Sequence, residues 1–116
     1  LLRAAADGGL ALAQHNLGQA LLQGNGVAQD PSEAARWFTR AAEQGLAVAQ
    51  ERLGALHEHG RGVAQDDVLA SAWYSLALSN GQRSAGERLA ALERRLAPDQ
   101  RERARQLVPT LVPVRR

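Results

Sequence analysis

Apolar residues in the first half of the chain recur at helical spacing. Between residues 10 and 44 they return every three or four positions, which places them along one side of a helix, whereas a half-buried strand would show strict alternation. Two such stripes follow one another, one formed by Leu10, Ala13, Leu17 and Leu21, and one by Ala34, Trp37, Phe38 and Ala41. The pattern predicts two amphipathic helices joined by a loop. Because Gly18 has no side chain, we expect a neighbouring backbone to approach the first helix there.

Capping signals mark where these helices begin and end. Asp30 offers an N-cap carboxylate, Pro31 suits the first helical position, and Glu33 is placed to complete a capping box. Gly45 and Gly81 stand where a left-handed residue would end a helix. Over the whole chain the signals predict seven helices and no β-strand, near residues 1–7, 10–23, 31–44, 46–59, 67–80, 82–96 and 98–107.

The two-helix pattern is an internal repeat. When the sequence is shifted by 36 residues, 16 of the 36 positions in 10–45 are identical in 46–81. A fixed period of this length is typical of a solenoid, in which each unit buries its apolar face against its neighbours. Trp37 recurs as Trp73, so we expect both indoles to be buried against the first helix of the following unit rather than to bind a ligand.

The retained residues resemble a known family. The string A-x-x-x-L-G, then G-x-G-V-x-x-D, then A-x-x-W-F or W-Y, is similar to the Sel1-like repeat (SLR) family, a cousin of the tetratricopeptide repeats. The tyrosine usual three residues after the Leu-Gly pair is Leu21 in one unit and His57 in the next. The resemblance implies an all-α protein, a right-handed α-solenoid, from a bacterium.

The resemblance also divides the chain. We expect residues 1–116 to form one solenoid domain, with a half-repeat at 1–9, repeats at 10–45 and 46–81, a partial repeat with a C-terminal capping helix at 82–107, and a tail at 108–116. Leu1 and Leu2 then belong to a second helix without its first helix, so we expect another chain to cover this N-terminal edge, in a crystal or a homo-oligomer.

Charge raises an alternative function. All 14 basic residues are arginine, and residues 83–116 carry nine of them against four acids. This C-terminal part, which includes Arg115 and Arg116, is the place to look for binding of nucleic acid or an anionic surface. Arg101, Arg103 and Arg105 alternate, however, and scatter around a helix, so a solvated helix face is the favoured interpretation.

Motifs that suggest chemistry have structural explanations. The loops Gly24-Asn25-Gly26 and Gly60-Arg61-Gly62 lack the strand and third glycine of a dinucleotide site. His57-Glu58-His59 lacks the HExxH spacing that aligns two metal ligands, and the chain has no cysteine. We therefore predict no catalytic, cofactor or metal site and no enzyme activity, with an accessory domain of an enzyme as a second alternative.

The remaining polar stripe of the first helices is the predicted partner-binding groove. By resemblance to tetratricopeptide-like solenoids, first helices line the concave side. A mixed polar stripe suits a peptide or partner protein better than a small molecule, which needs an enclosed apolar pocket. The predicted groove residues are His15, Gln19, Gln23, Glu51, His59, Glu87 and Arg95.

The compartment is left open. No apolar run approaches the roughly 18 residues of a membrane span, and the chain contains no methionine and opens in the middle of the repeat pattern. We expect the gene product to begin upstream, where a signal peptide could stand, so the bacterial periplasm or secretion is the favoured location.

Overall fold

The structure, a computed structural model, describes residues 2–113. The predictions that concern Leu1, Arg115 and Arg116 lie outside these residues. The described part contains seven α-helices, one 3-10 turn at Val108–Thr110 and no strand, as predicted. The helices are α1 (Leu2–Asp7), α2 (Ala11–Gln23), α3 (Pro31–Glu43), α4 (Ala47–His59), α5 (Asp67–Ser79), α6 (Ser84–Glu93) and α7 (Pro98–Leu107).

Helix ends follow the capping chemistry at most positions. The Asp30 carboxylate accepts from the Glu33 backbone N–H at 3.0 Å, and Asp66 does the same for Leu69 at 3.1 Å. Glu33, however, does not complete a capping box. Its carboxylate pairs with Arg3 at 2.9 Å and accepts from the Trp37 indole at 3.1 Å, so it links α3 to α1.

The apolar stripes pack consecutive helices into a solenoid. Trp37 and Trp73 are 6% and 4% exposed, which confirms their burial. Trp73 belongs to the same core cluster as Leu53 of α4, whereas Ala85 of α6 belongs to a separate cluster. Trp73 is therefore grouped with α4 and not with the buried residues of the following first helix, where the prediction placed it. Leu10, predicted in the core stripe, is 62% exposed because it precedes α2 as its N-cap residue.

Two helix glycines make room for aromatic rings. A Cβ at Gly18 would lie 3.0 Å from the Phe38 ring, and a Cβ at Gly54 would lie 2.8 Å from Tyr74. At Gly18 the neighbour is thus a side chain rather than the backbone we expected. The backbone does come close at Gly62, whose φ of +76° requires glycine and which lies against the Pro31 carbonyl of the previous repeat.

A buried glutamine links each repeat to the one before it. Gln14 donates to the Ala6 carbonyl at 3.2 Å, and Gln50, one period later, donates to the Ala42 carbonyl at 3.1 Å. The amide oxygens of these glutamines accept from Gln44 and Asn80 in turn. Both side chains are at least 96% buried, and a buried amide needs such partners. We call this contact the glutamine clamp.

The third first helix, α6, is shorter than predicted and lacks the clamp. Gly86 occupies the clamp position, and the Leu78 side chain packs against it instead. The helix ends at Glu93 because the chain must become extended at Ala97 before Pro98, which begins α7. Helix α7 packs against α5 and closes the C-terminal end of the solenoid.

Candidate functional site

The first helices α2, α4 and α6 meet at one surface that contains a depression. Its volume is about 190 Å³. The residues that line it are Leu22 of α2, Arg52, Ala55, Leu56 and His59 of α4, Arg61 of the following loop, and Arg88 of α6. We call this the arginine depression. It combines three guanidinium groups and an imidazole with an apolar floor, and no acid lines it.

A smaller depression of about 90 Å³ adjoins it on the same surface. Arg52, Ala55 and Arg88 line both, and Glu51 and Gln82 contribute to the smaller one alone. The two depressions together form a continuous polar and apolar surface along α4, which we call the first-helix face.

Glu51, a predicted groove residue, has a structural role that the sequence did not reveal. Its carboxylate pairs with Arg88 at 3.1 Å and accepts from Gln82 and Ser84, both at 2.8 Å. These contacts tie α4 to the start of α6. We therefore correct the expectation that Glu51 is free of structural constraint, since removing it would break a contact between repeats.

Arg95, another predicted groove residue, is also engaged. It pairs with Glu58 at 3.2 Å and lies 3.6 Å from Asp67. The Tyr74 hydroxyl donates to the other Glu58 oxygen at 2.6 Å. Although burial works to raise it, these hydrogen bonds hold the pKa of the Glu58 carboxyl below its usual value. Burial, together with this bond, raises the pKa of Tyr74.

His15 and Gln19 lie mostly inside the molecule. His15 is only 8% exposed and packs edge-to-face on Phe38, with ring centroids 5.4 Å apart. Burial lowers the pKa of its imidazole, and neither its Nε2 nor the Gln19 Oε1 has a hydrogen-bond partner among the described residues. His15 therefore offers little surface to a partner.

The other predicted groove residues are accessible but dispersed. Gln23, His59 and Glu87 are exposed, and only His59 reaches the arginine depression. Gln23 accepts a hydrogen bond from Asn25 at the end of α2. Glu87 has no ion pair in the described range. The structure thus brings His59 and Glu51 to the two depressions and leaves the other five apart from them.

Sequence reasoning missed the arginines of the arginine depression. Arg52 and Arg88 stand one period apart, next to the chosen positions Glu51 and Glu87, and this recurrence was the available signal. Arg61 was read only as a loop residue between two glycines. Its guanidinium donates to the Leu22 carbonyl of the previous repeat at 3.0 Å, which the sequence could not indicate.

Two arginines of the basic C-terminal helix form contacts with nearby residues. Arg101 donates to the Glu93 carbonyl at 3.4 Å, and Arg105 pairs with Glu102 at 3.0 Å. Within residues 2–113, no group of three acids or histidines is arranged to hold a metal ion. In that same range none of the helices has the length and apolar character that crossing a membrane requires.

The fold and this surface define a helical-repeat solenoid. The Sel1 repeat model matches residues 11–46 and 47–82, more than half of the chain, so the chain belongs to the Sel1 repeat family. The two matched repeats begin one residue after the predicted repeat starts. Proteins of this family are generally scaffolds for protein partners rather than enzymes.

Two solved structures are similar to this chain. One is c5321, a protective antigen of uropathogenic Escherichia coli with an SLR fold, at a TM-score of 0.92 and 41% identity. The alignment covers 95% of this chain and 24% of the E. coli protein, so the chain spans about a quarter of that protein's length. The other is a Sel1 repeat protein from Oxalobacter formigenes, at a TM-score of 0.76 and 46% identity. That alignment covers 78% of this chain and 68% of the Oxalobacter protein. Among curated proteins, none matches significantly.

Proposed function

We propose that the chain is an interaction module that holds a peptide or a segment of a partner protein on the first-helix face. The observation that carries this proposal is the meeting of α2, α4 and α6 at the arginine depression, where charged and apolar side chains alternate. Interfaces that bind peptides combine an apolar floor with polar groups that orient the ligand.

The composition of this surface favours a peptide over a small molecule. The depression is shallow and has several charged walls, whereas small-molecule sites are enclosed and mostly apolar. Arginine is enriched among residues that dominate interface energies, and three of the seven lining residues are arginines. His59 and the edge near Glu51 belong to this surface, while Gln19, Gln23, Glu87 and Arg95 remain candidate contacts outside the two depressions.

Ala55 gives a direct test because it lines both depressions and is half-buried. We expect Ala55→Trp to fill the surface and to abolish enrichment of peptides from a phage-displayed library by the immobilised chain. Ser79→Trp, at an exposed position at the end of α5, is the matched control and should leave enrichment unchanged. Circular dichroism would verify that both variants are folded.

The same experiment has a clear negative result. If the parent chain enriches no peptide, or if Ala55→Trp enriches the same peptides as the parent, the first-helix face is not the binding surface.

A further inference from the structure

Not every arginine of the arginine depression has a partner within the described part of the fold. Glu51 pairs with Arg88, and Arg61 donates to a backbone carbonyl. Arg52, by contrast, forms no ion pair and no side-chain hydrogen bond with any residue from 2 to 113, although it is half-buried and lines both depressions. A half-buried guanidinium without an acid is a group that an anion can satisfy.

We infer that Arg52, with Arg61 and Arg88 beside it, binds a carboxylate of an acidic peptide segment whose neighbouring apolar side chain rests on Ala55. This inference rests on the proposed function and specifies the partner. The guanidinium group presents paired N–H donors that match the two oxygens of a carboxylate, and such charge-assisted bonds are short and strong.

The floor of the depression specifies what must accompany the carboxylate. Leu56 is 3% exposed and Leu22 is 6% exposed, so together with Ala55 they form a small apolar base beneath the charged groups. Because the fold already covers both leucines, the half-buried Ala55 supplies most of the apolar surface that a ligand can reach. A glutamate or aspartate next to an apolar residue would satisfy the guanidinium groups and place an apolar side chain against Ala55 at once.

Nucleic acid fits the same surface less well. Its unstacked bases would need exposed aromatic rings, yet Trp37, Phe38, Trp73 and Tyr74 are all at most 6% exposed. The carboxylates of Glu51, Glu58 and Asp67 also lie around α4 and α6, where a chain of phosphates would be repelled. A single carboxylate can avoid these acids, whereas a polyphosphate chain cannot.

The inference is tested with defined probes and the whole 116-residue chain. The probes are a fluorescein-labelled 12-residue peptide carrying glutamate-leucine-glutamate clusters in a glycine-serine frame, its twin with glutamine in place of each glutamate, and a labelled 12-nucleotide single-stranded DNA. Fluorescence anisotropy measures Kd at two salt concentrations. We expect the glutamate peptide to bind roughly tenfold or more tightly than the glutamine twin, with binding weakened by salt.

Variants locate the binding on the chain. Arg52→Ala should raise the Kd of the glutamate peptide roughly tenfold, a change typical of removing one charge-assisted contact. Arg36→Ala is the matched control, because Arg36 is an exposed arginine of α3 outside both depressions. Thermal melting followed by circular dichroism checks that both variants fold as the parent does.

The outcomes separate this inference from the proposed function. Equal binding of the two peptides, no binding of either, an unchanged Kd in Arg52→Ala, or tighter Arg52-dependent binding of the DNA would each overturn the acidic-peptide assignment. If displayed peptides are nevertheless enriched and lost in Ala55→Trp, the proposed function stands without it. If the parent chain enriches no displayed peptide, or if Ala55→Trp enriches the same peptides as the parent, the proposed function fails as well.

Discussion

The two complete repeats share a scaffold and differ in the polar chemistry built onto it. Both contain the buried tryptophan, the glutamine clamp and the helix glycine beneath an aromatic ring. In the first repeat that ring is Phe38, and His15 packs on it with an Nε2 for which residues 2–113 provide no hydrogen-bond partner. In the second it is Tyr74, whose hydroxyl is held by Glu58.

This difference shows that the same backbone can place different polar side chains beside its buried aromatic ring. The ring of the first repeat packs against His15, whereas the ring of the second is connected through Glu58 to Arg95, just after α6. The identical positions include those that pack repeats together, such as the clamp glutamines and the tryptophans. The positions that change include 15 and 51, and 22 and 58. In the second repeat Glu51 and Glu58 pair with Arg88 and Arg95 of the following partial repeat, and His15 and Leu22 of the first repeat form no such ion pairs within residues 2–113.

The largest expected effect concerns what the repeats share. Trp37→Ala and Trp73→Ala should each lower the free energy of unfolding by about 3 to 5 kcal/mol, because each leaves a cavity in the core. Urea denaturation followed by circular dichroism measures both. A loss of less than about 1 kcal/mol in one variant would show that the two repeats do not depend on the tryptophan in the same way.

A smaller effect should separate the repeats at the glycine beneath the ring. Alanine gains about 1 kcal/mol of helix propensity over glycine, and overpacking costs about 1 to 3 kcal/mol. Gly54→Ala should be net destabilising by about 1 to 2 kcal/mol, because the Tyr74 ring is only 2.8 Å from the new Cβ and is fixed by Glu58. Gly18→Ala should be close to neutral, since the Phe38 ring has no hydroxyl to hold it.

A Tyr74→Phe background provides the control for Gly54→Ala. In a Tyr74→Phe background the ring loses its hydrogen bond to Glu58 and can shift, so Gly54→Ala should cost less there than in the parent chain. Equal costs in the two backgrounds would mean that the hydroxyl does not fix the ring.

The smallest effect is a pH dependence confined to the first repeat. Burial lowers the pKa of His15 in the folded chain below its ordinary value of 6.5, so acidification protonates the unfolded chain first. The contribution of His15 to stability should therefore decrease as the pH falls through about 6.5 and stop changing below the folded pKa of this residue. His15→Phe should remove this decrease in pH-dependent thermal melting, while His59→Gln at an exposed position should keep it. A parent-like slope in His15→Phe would contradict the assignment.

Much of the fold could be predicted because periodic residues report local chemistry. The repeat, the N-cap acids Asp30 and Asp66 and the burial of both tryptophans depend on short-range spacing and on the stacking of identical units. The binding surface was harder to predict. His15 is polar and lies on the polar stripe of α2, yet the Phe38 ring from another helix buries it.

The arginines were missed for a related reason. Arg52, Arg61 and Arg88 stand on α4, a loop and α6, and only the superposition of repeats brings them to one depression. Glu51 illustrates the reverse error. Its carboxylate stood out as a surface charge in the sequence, but three groups around α6 occupy it in the structure. The spacing of residues along one helix indicates neither that the three arginines lie close together nor that the Glu51 carboxylate already has partners.

The glutamine clamp gives the solenoid a direction. Each complete repeat carries the clamp donor, Gln14 or Gln50, in its first helix. The donor of the second repeat binds the carbonyl of Ala42, near the end of the second helix of the first repeat. A copied segment of one period brings both halves of this junction with it, so such a chain can lengthen by duplication, in one polarity only, without new complementary surfaces. After the second repeat Gly86 stands at the clamp position, so α6 is joined to α5 without this junction.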